Sequence, residues 1–275
     1  MTPRQISCTL IIAIALAGCE RPGKAPAPPA PAPAPQRTAQ LAVDAQLPPP
    51  AELDPQHQQE LMQTVFGTAE QPEEDRPVRT PLTATVVPDG RTALIVNSTH
   101  AEPSDAAYGT LGVYMLKRNG ADWEVLERHD NLAEMGSNGQ VGTVKWVMLA
   151  PGRPGFMVST GEIRHGNWQN RAVFFDLASG VRQLGGFREA GGNDCTPTNG
   201  QCWEVESTIR FVDSEDKAAY RDIVVDFTDK SYTVVETADG SLLKRMESNV
   251  AKRARYHYDG KEYVMKSGRN PVPAI

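Results

Sequence analysis

From Pro81 onward the chain is punctuated by Asx-Gly turn signals set between short apolar runs, and this pattern constrains the fold more than any other feature. Asp89-Gly90 separates "LTATVV" from "RTALIV", Asn119-Gly120 separates "GVYMLKR" from "DWEVLE", and Asp259-Gly260 separates "RYHY" from "KEYV". These dipeptides supply the positive backbone angles of hairpin turns, and runs rich in Val, Ile, Tyr, Phe and Trp suit pleated strands. The expectation is an all-β domain of antiparallel hairpins over 81–275. With Asn119 and Gly120 as a loop, Leu116 faces Trp123 and Tyr114 faces Val125, so one side of that hairpin is apolar. In the last hairpin Tyr256, Tyr258, Lys261 and Tyr263 share one face, and His257 and Glu262 the other.

An internal echo runs through the domain. "RTALIVNST" followed by "LGVYMLKRNGADWEVL" is answered about sixty residues later by "PGFMVSTGE" followed by "RAVFFDLASGVRQL", and a third, poorer copy begins at "RDIVVDFTDKSYTVVE". Repeated sheet units bury their faces on one another in propellers and in stacked sheets alike, so a partial or small propeller-like repeat and a β-sandwich both fit. One short N-terminal helix is expected ahead of the strands. Asp54 suits its N-cap, Pro55 its first turn and Gly67 its end, with Leu61, Met62, Val65 and Phe66 as the apolar stripe. The acidic, proline-broken stretch from Glu70 to Arg79 reads as loop, which makes 51–80 a helix-and-loop segment.

Residues 1–18 have the parts of an export signal: one charge at Arg4, an apolar run from Ile6 to Ala17, and small residues before the cut. Leu16, Ala17, Gly18 and Cys19 together resemble the lipobox of bacterial lipoproteins, a resemblance confined to about the first twenty residues. It implies that 1–18 is removed as a lipoprotein signal peptide and that Cys19 becomes the first residue and the lipid attachment point, its thiol taking a diacylglyceryl group as a thioether. Each buried methylene contributes ~0.8 kcal/mol and stable anchoring needs two or more acyl chains, so the implied partner is the membrane, reached through a lipid anchor. In Gram-negative lipoproteins an aspartate after the cysteine favours retention in the inner membrane. Glu20 stands here, which favours the periplasmic face of the outer membrane over the inner membrane. From Ala25 to Pro35 six prolines alternate with five alanines. Such a tract adopts polyproline II and at ~3.1 Å per residue spans roughly 34 Å as a semi-rigid spacer. Residues 36–50 continue the linker to Pro48, Pro49 and Pro50, so 19–50 reads as lipidated cysteine plus Pro/Ala-rich stalk.

The same resemblance sorts the four cysteines. Cys8 leaves with the signal and Cys19 carries lipid, leaving Cys195 and Cys202 in the mature domain. Export places that pair in an oxidising compartment, where a disulfide is the expected state, and "CTPTNGQC" contains Pro197 and Asn199-Gly200 to turn the chain between them. A lone pair with no accompanying histidine falls short of a zinc site, and redox motifs use a two-residue spacing that this segment lacks.

Local motifs of catalysis are missing from the sequence. There is no H-E-x-x-H, no G-x-S-x-G, no P-loop and no dinucleotide fingerprint, so no catalytic residue, metal ligand or cofactor is assigned. "GSNGQVG" at 136–142 reads as a turn, and Asp213, Ser214, Glu215 and Asp216 lack the spacing of a calcium loop and read as a solvated hairpin tip. A formal net charge of -6 argues against general nucleic-acid binding. One segment stands out. "GEIRHGNWQN" places Arg164, His165, Asn167, Trp168 and Asn170 in a loop between strands, a candidate binding loop able to stack and hydrogen-bond a sugar or a peptide; in the alternative, Trp168 covers a sheet edge and the rest is solvated. Trp123, Trp146 and Trp203 lie in strand-like runs and read as core. Residues 241–275 carry eight basic side chains against three acidic ones, a face suited to anionic surfaces or simply to solvent. The reading is a non-catalytic binding or interaction module of the cell envelope, with envelope proteins or cell-wall polymer as partners. Its rivals are an envelope-polymer hydrolase assembled from distant residues such as His165, Asp194 or Asp226, and a carbohydrate- or cell-wall-binding module built on Trp168 and the basic terminus.

Overall fold

Apolar runs that do not alternate, such as "TALIV" at 92–96 and "GFMV" at 155–158, need burial on both faces. The computed structural model meets that need by layering. It describes residues 38–42, 48–67, 77–193, 201–216, 218–239 and 241–275, all within the compact unit Gln36–Ile275. In chain order the elements are β1 (Gln40–Leu41), α1 (Pro55–Phe66), β2 (Val78–Val86), β3 (Thr92–Thr99), β4 (Gly109–Asn119), β5 (Asp122–Met135), β6 (Thr143–Ala150), β7 (Arg153–Arg164), β8 (Asn167–Asp176), β9 (Arg182–Asn193), β10 (Gln201–Val212), β11 (Asp222–Glu236), β12 (Leu242–Tyr258) and β13 (Tyr263–Gly268). Strands β2 to β5 form a four-stranded antiparallel meander; β6 to β13 form a second meander in strict sequence order, which β1 joins in parallel alongside β10.

The strands divide their side chains between three cores. On β3, Ala93 and Ile95 point towards the large sheet and Leu94 and Val96 towards α1; on β4, Val113 and Met115 do the former and Tyr114 and Leu116 the latter. The same division recurs one layer on. Phe156 and Val158 of β7 and Val173 and Phe175 of β8 meet the small sheet, with Phe156 stacked on Phe175 at 4.7 Å between centroids, whereas Met157, Ala172 and Phe174 face the other way. That third core is closed by β10 to β13 through Val205, Ile209, Ile223, Val225, Phe227, Tyr256, Tyr258 and Tyr263. The large sheet therefore folds over on itself. Its corner lies where β9 and β10 pair only through Gly191, Gly192, Glu204 and Val205, and a Cβ on Gly192 would lie 2.6 Å from the Trp168 indole nitrogen.

The helix forms as expected. The Asp54 carboxylate accepts from the His57 amide at 3.0 Å, Pro55 opens the first turn, Gly67 ends the helix at φ 79°, and Leu61 and Val65 are buried. The crossing from one sheet to the other is made by "GSNGQVG", a turn as expected, in which Ser137 and Gln140 bond each other through their backbones. Gly142 must be glycine. Its φ is +114°, and a Cβ there would lie 2.1 Å from the Ser159 carbonyl oxygen.

The echoing units are β3 to β5 and β7 to β9, but the second belongs to a continuous meander, so of the two expected architectures the sandwich is the one formed. Three expectations change. The β4–β5 turn is Gly120-Ala121 instead of Asn119-Gly120, because glycine takes the first central position at φ +65°. Leu116 consequently opposes Val125 and Arg118 opposes Trp123, yet Tyr114, Leu116, Trp123 and Val125 still share the apolar face against α1. In the last hairpin the turn widens to 259–262, so exposed Lys261 leaves the face on which Tyr256, Tyr258 and Tyr263 are buried. The boundaries also move. Strand β2 starts at Val78, and residues 38–42 of the expected linker are part of the domain: the Ala42 amide donates to the Ile209 carbonyl at 2.9 Å and Lys145 Nζ donates to the Ala39 carbonyl at 2.8 Å.

Beneath that N-terminal strand lies Glu189, fully buried, its carboxylate accepting from the Ser159 hydroxyl. Burial pushes its carboxyl up to about 7, against the pull of the Ser159 bond, the Lys145 charge and the Ala39 amide.

Candidate functional site

The candidate binding loop is a tight hairpin. His165 and Gly166 form its two-residue turn at φ 50° and 74°, β7 runs through Arg164 and β8 starts at Asn167. Arg164 pairs with Glu162 at 3.1 Å, and Asn167 Nδ2 donates to the Arg164 and His165 carbonyls. Trp168 lies against Gly192 and is half-buried, and Asn170 is buried within the sheet. The five residues therefore point to different surroundings and line no common cleft among the described residues. Of the residues named for a hydrolase, Asp194 lies outside the described residues, His165 is at the exposed turn, and Asp226 is bonded by Arg210 at 3.1 Å and Arg253 at 2.5 Å. Cys202 is buried at the start of β10; Cys195 lies outside the described residues, and the expected bridge with it, as does Cys19.

The outward face of β10 to β12 holds the densest set of titratable groups. Asp222, fully buried, accepts from Arg255 Nε at 2.6 Å and lies 2.8 Å from His257 Nδ1; His257 Nε2 lies 3.3 Å from Asp216, and Arg255 also reaches Glu215 at 2.9 Å. Burial pushes the Asp222 carboxyl up, but the His257 and Arg255 bonds outweigh it and hold the group below its ordinary value. Ser214 completes the residue types of a hydrolytic triad without its geometry. Its hydroxyl is 3.5 Å from His257 Nδ1, the nitrogen already engaged with Asp222, and it donates to Asp216 at 2.5 Å. A triad requires the carboxylate and the nucleophile on opposite ring nitrogens. The cluster is an ion network that clamps 213–216 onto β11 and β12, so the acidic run is held by cations instead of standing free in solvent. The basic terminus is partly neutralised in the same way, Lys252 pairing with Asp229, Arg253 with Asp226, and Lys266 with Asp216. No group of three or more His, Cys, Asp or Glu side chains is gathered for a metal ion among the described residues.

Two further surfaces stand out among the described residues. Tyr108, 52% exposed, stands between two open clefts, one lined by Arg79, His100, Asp130 and Glu134, the other by Thr160, Gln169, Arg171 and Gln183. The second surface is the distal part of the β11–β12 hairpin. Past Ala254 every described side chain of β12 back to Leu242 is exposed except half-buried Lys252, and Leu242, Leu243 and Met246 are 49%, 59% and 53% exposed, with Val235 and Val250 beside them. Five large apolar side chains on one ribbon, Val235, Leu243 and Val250 on one face and Leu242 and Met246 on the other, exceed what solitary surface residues explain and mark the ribbon as an interaction surface. The sequence signal was present in "SLLKRM", but reading it required knowing that the strand outruns the core. Neither a protein-family model, nor a curated protein, nor a solved structure matches the chain.

Proposed function

We propose that this chain is a lipid-anchored protein of the bacterial cell envelope whose β domain is a non-catalytic docking module, with the β11–β12 ribbon as its docking surface. The exposed apolar side chains of the ribbon carry this reading, Val235, Leu243 and Val250 on one face and Leu242 and Met246 on the other. The anchor rests on the lipobox-like quartet ending in Cys19 and the proline stalk after it, and Glu20 favours the periplasmic face of the outer membrane. His257, the histidine best placed for chemistry, has both ring nitrogens facing carboxylates, which suits a structural role. Fractionation of cells expressing Cys19→Ala tests the anchor: the variant leaves the membrane fraction, and its retention there overturns the assignment. Leu243→Asp tests the surface. It abolishes association with whatever the ribbon binds while leaving the circular dichroism unchanged, and unchanged association refutes the docking role.

Tyr108 favours a second reading, a cell-wall polymer site. An exposed ring flanked by Arg79, Asp130 and Glu134 can stack on a sugar and hydrogen-bond its hydroxyls. Soluble peptidoglycan fragments titrated against the protein and against Tyr108→Ala decide it, since equal binding to both removes Tyr108 from the site.

A further inference from the structure

The side-chain stripe that builds the third core continues beyond it. On the core-facing side of β11, buried Ile223, Val225 and Phe227 are followed by Asp229, Ser231, Thr233 and exposed Val235. On β12 the opposing residues are Tyr256, Ala254, Lys252, Val250 and Ser248, and then, past the bulge at Glu247, Arg245 and Leu243. The bulge shifts the alternation by one residue. Leu243 and Val250, an odd number of positions apart, therefore lie on the same face.

Strand β13 pairs with β12 only from Ala254 to Tyr258, and its chain departs after the Arg269 amide donates to the Arg253 carbonyl at 2.9 Å. From Leu242 to Lys252 the other edge of β12 has no neighbouring strand among the described residues. An exposed, unpaired edge of that length, carrying Leu242, Leu243, Met246 and Val250, is a template for another strand, since its outward N–H and C=O groups remain to be paired.

We propose that this edge pairs, antiparallel, with the same edge of a second copy of the chain, giving a sheet continuous across a two-fold axis; the proposal rests on the ribbon being the docking surface. The sequence of β12 is complementary to itself in that arrangement. With the axis between Met246 and Glu247, Leu243 of one copy stands opposite Val250 of the other and Leu242 opposite Ala251, each contact occurring twice. Arg245 and Glu247, 3.9 Å apart within one chain, meet their counterparts at the axis as two cations alternating with two carboxylates. Moving the register by two residues sets Leu243 against Ser248 or Lys252 and loses the apolar pairs. Opposite charges and apolar pairs across a ladder stabilise it, and like charges directly opposite do the reverse. Lipid tethering of both copies in one membrane raises their effective concentration at the edge.

The test uses the full anchored chain. Met246→Cys, placed beside the axis, gives a disulfide-linked homodimer on mild oxidation of membranes, whereas Lys261→Cys, at an exposed turn away from the edge, does not. In detergent the unmodified chain sediments as a dimer and Leu243→Asp as a monomer of unchanged circular dichroism. A Met246→Cys adduct with a different protein alone overturns the second-copy inference and leaves the docking surface standing. Failure of Met246→Cys to link to anything, together with unchanged sedimentation of Leu243→Asp, overturns both.

Discussion

The hydroxyl of Ser159 on β7 donates to the carboxylate of Glu189 on β9, and both groups are buried under the first strand of the domain. A carboxyl raised from 4.5 to about 7 is protonated more readily in the folded chain than in the unfolded one. Its contribution to stability is complete below the ordinary glutamate value and is lost as pH rises through about 7. The shift corresponds to about 3 kcal/mol. Urea unfolding at pH 5 and pH 8 measures that loss, and in Glu189→Gln the difference between the two pH values shrinks; an unchanged slope refutes the assignment to Glu189.

Asp222 behaves in the opposite sense. Its folded value lies below the ordinary 3.8, so its contribution is present above that value and is lost as pH falls below it. Replacing it with alanine leaves Arg255 and His257 facing a partner they no longer have. Loss of one partner from a buried pair costs roughly 3 to 5 kcal/mol. Denaturant titration at neutral pH of Asp222→Ala measures this, and faster proteolysis within 213–216 is the local sign that the clamp has opened.

Two glycines separate backbone strain from steric contact. Gly120 has open space around it, whereas Gly142 faces the Ser159 carbonyl oxygen at the sheet-to-sheet crossing. Both have positive φ, so alanine at Gly120 costs about 1 kcal/mol. Gly142→Ala adds a collision with backbone and costs at least about 2 kcal/mol more. Thermal unfolding of the two variants side by side reads the difference, and equal losses would show that the crossing yields.

The cysteine pair is open to direct measurement. Mass spectrometry of the protein purified without reduction is expected to find Cys195 and Cys202 linked, and free thiols would refute the bridge. Double replacement by serine then costs roughly 2 to 5 kcal/mol, as removal of a native disulfide from a small exported domain does.

Much of the fold was legible because local chemistry leaves little choice. Asp54, Pro55 and Gly67 announce both ends of α1, and Asp-Gly and Asn-Gly mark the hairpins to within a residue or two. The candidate site was not legible in the same way. Asp222 and His257 are 35 positions apart and Asp216 and Lys266 are 50 apart, so no local spacing joins them. The segment around His165 looked like a binding loop because its residue types are polar and aromatic, yet His165-Gly166 closes a two-residue turn and Gly192 leaves room for Trp168 to lie flat.

The sequence by itself determined the β class, the helix, the turns and the lipobox-like quartet at Cys19, since each depends on residues within a few positions of one another. Only the tertiary structure decided that the echoing strands merge into a continuous meander, that residues 38–42 belong to the domain, and that β12 extends beyond its neighbour. Those outcomes depend on which sheet faces have apolar surface left to bury and which edges have backbone groups left to pair. Both are properties of the assembled layers and of no single stretch of chain.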